Sequence, residues 1–202
     1  MSADRDLKLR IIRDEVLNLT DSPLFEYRQT NKALPVIGEG SHTAEIMFVG
    51  EAPGKNEAKT GHPFCGASGK LLDELLASVN ISRPEVYITN IVKDRPPENR
   101  DPLPEEIAVY GPFLDRQIGI IKPQLIVTLG RFSMNYIMIK FGLEDSLAPI
   151  SQNHGQFFQG QASFGPVRIL PLYHPAAAIY NQHLKATLFE DFQKVIEVKP
   201  KV

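Results

Sequence analysis

Glu45-Ile46-Met47-Phe48-Val49-Gly50 is the stretch on which the fold turns. Its apolar run is too short for a helix and is closed by glycine, as expected of a strand covered on both faces. A Gly/Pro-rich loop follows, and then Leu71, Leu72, Leu75, Leu76 and Val79 recur at helical spacing, which predicts a helix over 68–79 with Ser68 as N-cap. Strand, loop and helix then repeat. Val86-Tyr87-Ile88-Thr89-Asn90, Leu125-Ile126-Val127-Thr128-Leu129-Gly130 and Val167-Arg168-Ile169-Leu170-Pro171-Leu172 read as three more strands. Helices are predicted between and around them over 104–121, 131–141 and 184–196. An opening helix over 4–19 is apolar at Leu7, Ile11, Ile12, Val16 and Leu19, and Asp21-Ser22-Pro23 breaks it. Parallel neighbours need crossover connections, so this alternation predicts an α/β fold. The expected form is a three-layer α/β/α sandwich around a central four-stranded parallel sheet, one domain over 1–202.

Composition narrows the function classes. The chain has 202 residues, 22 basic against 24 acidic, and one cysteine, Cys65. One thiol excludes an internal disulfide framework and any metal site built on several cysteines. His42, His62, His154 and His183 show no ligand spacing, so no metal and no cofactor are expected. The N-terminus lacks the apolar stretch of a secretory signal, and no apolar run reaches membrane-spanning length. A soluble, cytoplasmic monomer without membrane contact is expected.

In parallel sheets ligands bind beyond the carboxyl ends of the strands. The loop over 50–70 is glycine-rich, but Gly69-Lys70 is followed by Leu71 rather than Ser or Thr, which rejects a nucleotide P-loop. Glu51 follows the first strand, Asn90 ends the second, and His174 follows the fourth. Three chemically distinct groups therefore converge on one crevice.

These loops resemble the uracil-DNA glycosylase superfamily, most closely its family 4. The resemblance rests on GEAPGxxE…TGxPFxGxxGxLLD over 50–73, YITNxVKxRPPxNRxP over 87–102, and His174-Pro175-Ala176, in that order. It implies an enzyme that hydrolyses the N-glycosidic bond of uracil in single- or double-stranded DNA and leaves an abasic site, initiating base excision repair. Such an enzyme flips the nucleotide out of the stack, reads its Watson–Crick edge, and expels the base as an anion. By resemblance, Asn90 pairs with the uracil edge, Phe64 stacks on its face, and Gly50, Ala52 and Glu57 complete the pocket. Glu51 activates or orients water, or stabilises the cationic sugar, and His174 donates to uracil O2 as charge develops there. Lys55, Lys93, Arg95 and Arg100 are expected to contact phosphates, and Ile179 or Tyr180 to wedge into the duplex.

The sequence also departs from the family. Members of family 4 carry a [4Fe–4S] cluster on four cysteines, whose positions are occupied here by Leu19, Ser22, Asp94 and Tyr110. The resemblance is therefore to a cluster-free relative. A covalent relative that attacks the abasic sugar with a histidine after Asn90 is not expected, because no histidine lies between Asn90 and His154. A catalytically weak or inactive uracil- or DNA-binding module of the same fold is the alternative.

Overall fold

The computed structural model describes residues 2–198; Met1 and 199–202, the ends of the expected domain, lie outside the described residues. Six strands form one sheet: β1 (Glu39–Gly40), β2 (Ile46–Gly50), β3 (Tyr87–Asn90), β4 (Leu125–Leu129), β5 (Phe158–Ala162) and β6 (Gly165–Leu172). Their order is β1-β3-β2-β4-β6-β5. The four apolar runs form the parallel centre, with Gly50 in register with Asn90 and Leu129 with Leu172. The expected four-stranded parallel sheet is thus the middle of a six-stranded mixed sheet. β1 and β5 were missed because they are antiparallel edges, one two residues long, the other reading Phe-Gln-Gly-Gln-Ala with only Gly160 buried. A half-solvated edge carries no continuous apolar run.

The helices are α1 (Ser2–Leu17), α2 (Phe25–Thr30), α3 (Lys55–Thr60), α4 (Ala67–Ser78), α5 (Pro104–Ile121), α6 (Arg131–Lys140), α7 (Ile150–Asn153), α8 (Pro175–Ala178) and α9 (Gln182–Phe192). Alternate residues of β2 serve opposite faces. Phe48 packs with Leu72, Leu75, Leu76 and Phe192 on one side, while Met47 and Val49 pack with Leu114, Ile118 and Ile12 on the other. Two expectations are corrected here. On α1 the buried stripe is Leu9, Ile12 and Val16, whereas Leu7 and Ile11 are exposed. The N-cap of α4 is Gly66, not Ser68, and no side chain caps it.

The four positions where relatives would hold the cluster cysteines do meet in space. Ser22 Oγ lies 2.6 Å from the Tyr110 hydroxyl, which donates to Asp94 Oδ2 at 2.5 Å. Arg28 donates to the same Asp94 oxygen at 3.2 Å, and also to the carbonyls of Val16, Leu17 and Leu19. One guanidinium thus pairs a buried carboxylate and caps the carboxyl end of α1, where the helix dipole favours a cation. Burial pushes the Asp94 carboxyl up, opposed by the Tyr110 hydroxyl and the Arg28 charge. None of the four residues supplies a thiolate, so this donor set does not fit an iron–sulfur cluster.

The network is local to the fold, and its loss should register as stability. Asp94→Ala leaves Arg28 buried without a counter-charge, a change that typically costs ~3–5 kcal/mol. At ~2–4 °C per kcal/mol for a chain of this size, thermal unfolding should drop by roughly 6–20 °C. The paired apolar variant Arg28→Met with Asp94→Leu should recover part of that loss. A single variant as stable as the parent would show the pair to be dispensable.

Candidate active site

The carboxyl ends of β2, β3 and β6 open on one cavity of about 330 Å³, and Glu51, Ala52, Glu57, Phe64, Asn90, Arg100 and His174 all line it. Its depth is set by register: Gly50 pairs with Asn90, placing the Asn90 side chain at the cavity floor beside a residue with no side chain. A Cβ on Gly50 would stand 2.3 Å from Asn90 Oδ1 and 2.7 Å from Phe64 Cζ. Only glycine leaves room for both.

Asn90 is 2% exposed, and its Oδ1 has no hydrogen-bond partner. A buried acceptor left unpaired costs about 1–3 kcal/mol, and on this cavity the atom can accept a hydrogen bond from a donor placed beside it. Phe64 forms an adjoining wall. It is buried yet left-handed, with φ +47°, a conformation that strains an aromatic residue. Two features hold it there. Glu57 Oε1 accepts from the backbone N–H of Cys65 at 2.9 Å and Gly66 at 2.8 Å, and α4 presses Gly69 against the Phe64 carbonyl so closely that any Cβ would collide. Glu57 therefore braces the loop that presents Phe64.

His174 lies opposite, its ring centroid 5.8 Å from that of Phe64. Its Nδ1 accepts from the Ala176 N–H at 3.1 Å, so the neutral ring carries its proton on Nε2. Burial pushes the imidazole down to about 4, only partly offset by the Glu57 carboxylate. It is thus a neutral N–H donor across the physiological range. Glu51, half-buried, moves the other way. Burial first, and then the Asp101 carboxylate, push it up to about 7 against the Arg131 guanidinium. An acid poised near neutrality suits general-base work.

The expected phosphate contacts divide. Lys55 is exposed on the first turn of α3. Arg95 is half-buried, donating from Nε to Asn99 Oδ1 at 2.6 Å. Arg100 sits on the cavity rim, but its two Nη atoms bond the buried Glu106 carboxylate at 2.9 and 2.6 Å. Lys93 is a correction. It is 0% exposed and cannot reach a phosphate, because its aliphatic chain folds back under β3 into a polar cage. Beyond the cavity, Tyr180 is 96% exposed, whereas Ile179 packs partly into the core.

Sequence reading overlooked several cavity residues, among them Ser68, Pro96 and Asn99. Asn99 carried a signal: Glu98 and Asn99 are consecutive left-handed residues, and asparagine tolerates that region. Arg28 and Gln117 carried none, since their partners lie far along the chain. Among the described residues no group of three or more His, Cys, Asp or Glu could hold a metal ion, and no helix is long and apolar enough to cross a membrane.

Comparison with known proteins agrees with this geometry. Residues 37–197 match the Uracil DNA glycosylase superfamily. A type-4 uracil-DNA glycosylase of Sulfurisphaera tokodaii is 47% identical over 94% of this chain and 84% of its own. The type-4 enzyme of Archaeoglobus fulgidus is 46% identical over 81% of both chains, and that of Thermotoga maritima 38% identical over 94% of both. The sheet that sets Gly50 against Asn90, the left-handed Phe64 and the neutral His174 are thus carried by a chain that belongs to the uracil-DNA glycosylase superfamily.

Proposed function

We propose that the protein is a monofunctional uracil-DNA glycosylase that initiates base excision repair in the cytoplasm, acting as a single-domain monomer without an iron–sulfur cluster. The observation that carries this reading is the buried, unpartnered Asn90 Oδ1 on the floor of a cavity walled by Phe64 and His174. A flipped uracil stacked on Phe64 offers N3–H to Asn90 Oδ1 and O4 to Asn90 Nδ2. Cytosine presents an acceptor at N3 and a donor at N4, so both contacts would be mismatched. His174 Nε2–H faces O2, where negative charge gathers as the glycosidic bond breaks, and a fixed donor there acts as an oxyanion hole does. Glu51 takes a proton from the water that adds to C1′, while the bonding electrons leave with the base. Tyr180 carries a large ring almost wholly in solvent, the arrangement expected of a side chain that fills the gap in an opened base stack.

The test is excision from a labelled uracil-containing oligonucleotide, in metal-free buffer, with abasic sites then cleaved by alkali. The parent should cleave at uracil and not at cytosine, and Asn90→Ala or His174→Ala should lose ~10²–10³-fold in rate, as loss of one preorganised donor does. Binding without cleavage would make the protein a uracil-binding module instead. Iron at several atoms per chain in the purified protein would overturn the cluster-free part alone.

A further inference from the structure

Lys93 is fully buried, yet no carboxylate of the described residues pairs with it. Its Nζ instead donates to three neutral oxygens: Thr89 Oγ1 at 2.8 Å, the Asn90 carbonyl at 2.7 Å and Gln117 Oε1 at 2.7 Å. Each acceptor is independently oriented. Gln117 Nε2 donates to the Ile37 carbonyl at 2.8 Å and the Tyr87 hydroxyl at 3.1 Å, which turns its Oε1 toward Lys93. Thr89 Oγ1 spends its own proton on the Ile37 carbonyl at 2.7 Å, leaving lone pairs for the ammonium. Three donors thus meet three acceptors, and all three protons are used.

Burying a lysine without a counter-charge is costly, and burial here lowers its affinity for the third proton. A methionine of similar length would fill the space at no such cost. What the ammonium does that methionine could not is grip the main chain of Asn90 from behind. The front of the same turn is tied to the site: Ile91 N–H donates to the Gly50 carbonyl and Val92 N–H to the Glu51 carbonyl. The next residue, Asp94, faces away, into Arg28 and Tyr110. The Asn90 peptide is therefore clamped between the glycine that makes room for its side chain and the lysine beneath it.

We propose that Lys93 is a positioning residue for uracil excision, fixing the Asn90 amide through the Asn90 main-chain carbonyl rather than contacting DNA. This rests on the function proposed above. A side-chain amide that must meet N3–H and O4 together tolerates little play, since misplacement by about 1 Å can cost 10²-fold in rate.

The experiment is single-turnover excision by the parent, Lys93→Met, Asn90→Ala and the double variant, with DNA affinity measured over a salt series. Lys93→Met should slow excision by ~10–100-fold. Its affinity for DNA and the salt dependence of that affinity should stay at parent values, because no phosphate contact is lost. In the Asn90→Ala background the same change should cost less than ~2-fold, as coupled residues do. Thr89→Val, isosteric and removing one acceptor, should show a smaller loss with the same dependence on Asn90, and it carries the test should Lys93→Met fail to fold. Losses that multiply in the double variant would make Lys93 a structural residue only. Weaker binding with a shallower salt slope would restore the phosphate role. A parent without activity on uracil would sink the function itself, whereas an active parent matched by Lys93→Met and Thr89→Val would sink only this inference.

Discussion

Glu51→Gln should lower the rate of uracil excision by ~10²–10³-fold and abolish its rise with pH, within the range that general-base catalysis supplies. The sign follows from the environment. Burial and Asp101 raise the Glu51 carboxyl to about 7, so the proton-accepting form is the minor one in acid. For a single ionisation only ~1% of the carboxylate would be present two pH units below its pKa. Single-turnover rates should therefore climb about tenfold per pH unit up to roughly 7, where the Glu51 limb levels off. Above that the buried Lys93, lowered by burial to about 7, gives up the third proton of its clamp, and the profile should turn down. His174 adds nothing to the rising limb, since its imidazole is already neutral above about 4. Asp101→Asn removes a neighbouring negative charge and should move the limb to lower pH, while Arg131→Gln should move it higher. An unchanged limb in Glu51→Gln would assign the titration to another group and leave Glu51 no role as a base.

Gly50→Ala should abolish measurable excision, by ~10³-fold or more, since it displaces two groups and misplacing one by about 1 Å can cost 10²-fold. The new methyl would meet Asn90 Oδ1 at 2.3 Å and the Phe64 ring at 2.7 Å. Both obstacles are side chains, so the protein can accept the methyl by swinging them aside. The fold survives and the pocket does not. Thermal unfolding should shift by only a few degrees, the range of about 1 kcal/mol in a chain of this length. Gly119→Ala is the control. It lies in exposed helix with nothing within 4 Å of the added carbon, and should leave the rate unchanged while stabilising by ~0.5–1 kcal/mol. Full activity in Gly50→Ala would mean that Asn90 and Phe64 do not hold the substrate where they stand.

Much of this site is legible in the chain itself because its parts are local. A short apolar run ending at Gly50, an asparagine ending β3 and a histidine two residues past β6 announce themselves by position relative to a strand. Parallel pairing then sends all three to the same end of the sheet. What the sequence by itself determined was the parallel centre of the sheet and the meeting of Glu51, Phe64, Asn90 and His174 around one cavity at its carboxyl end.

Tertiary structure decided what each charge does. A lysine in a basic motif reads as a phosphate contact until Gln117, 24 positions away, is seen to hold it inside. Asp94 reads as a lost ligand until Arg28, 66 positions away, and Tyr110 close around it. The tautomer of His174 follows from the Ala176 N–H, and the pKa of Glu51 from burial and from Asp101 and Arg131. The physical reason is range. Periodicity and turn chemistry act over a few residues and are written along the chain, whereas burial and the pairing of buried charge exist only once distant segments have met.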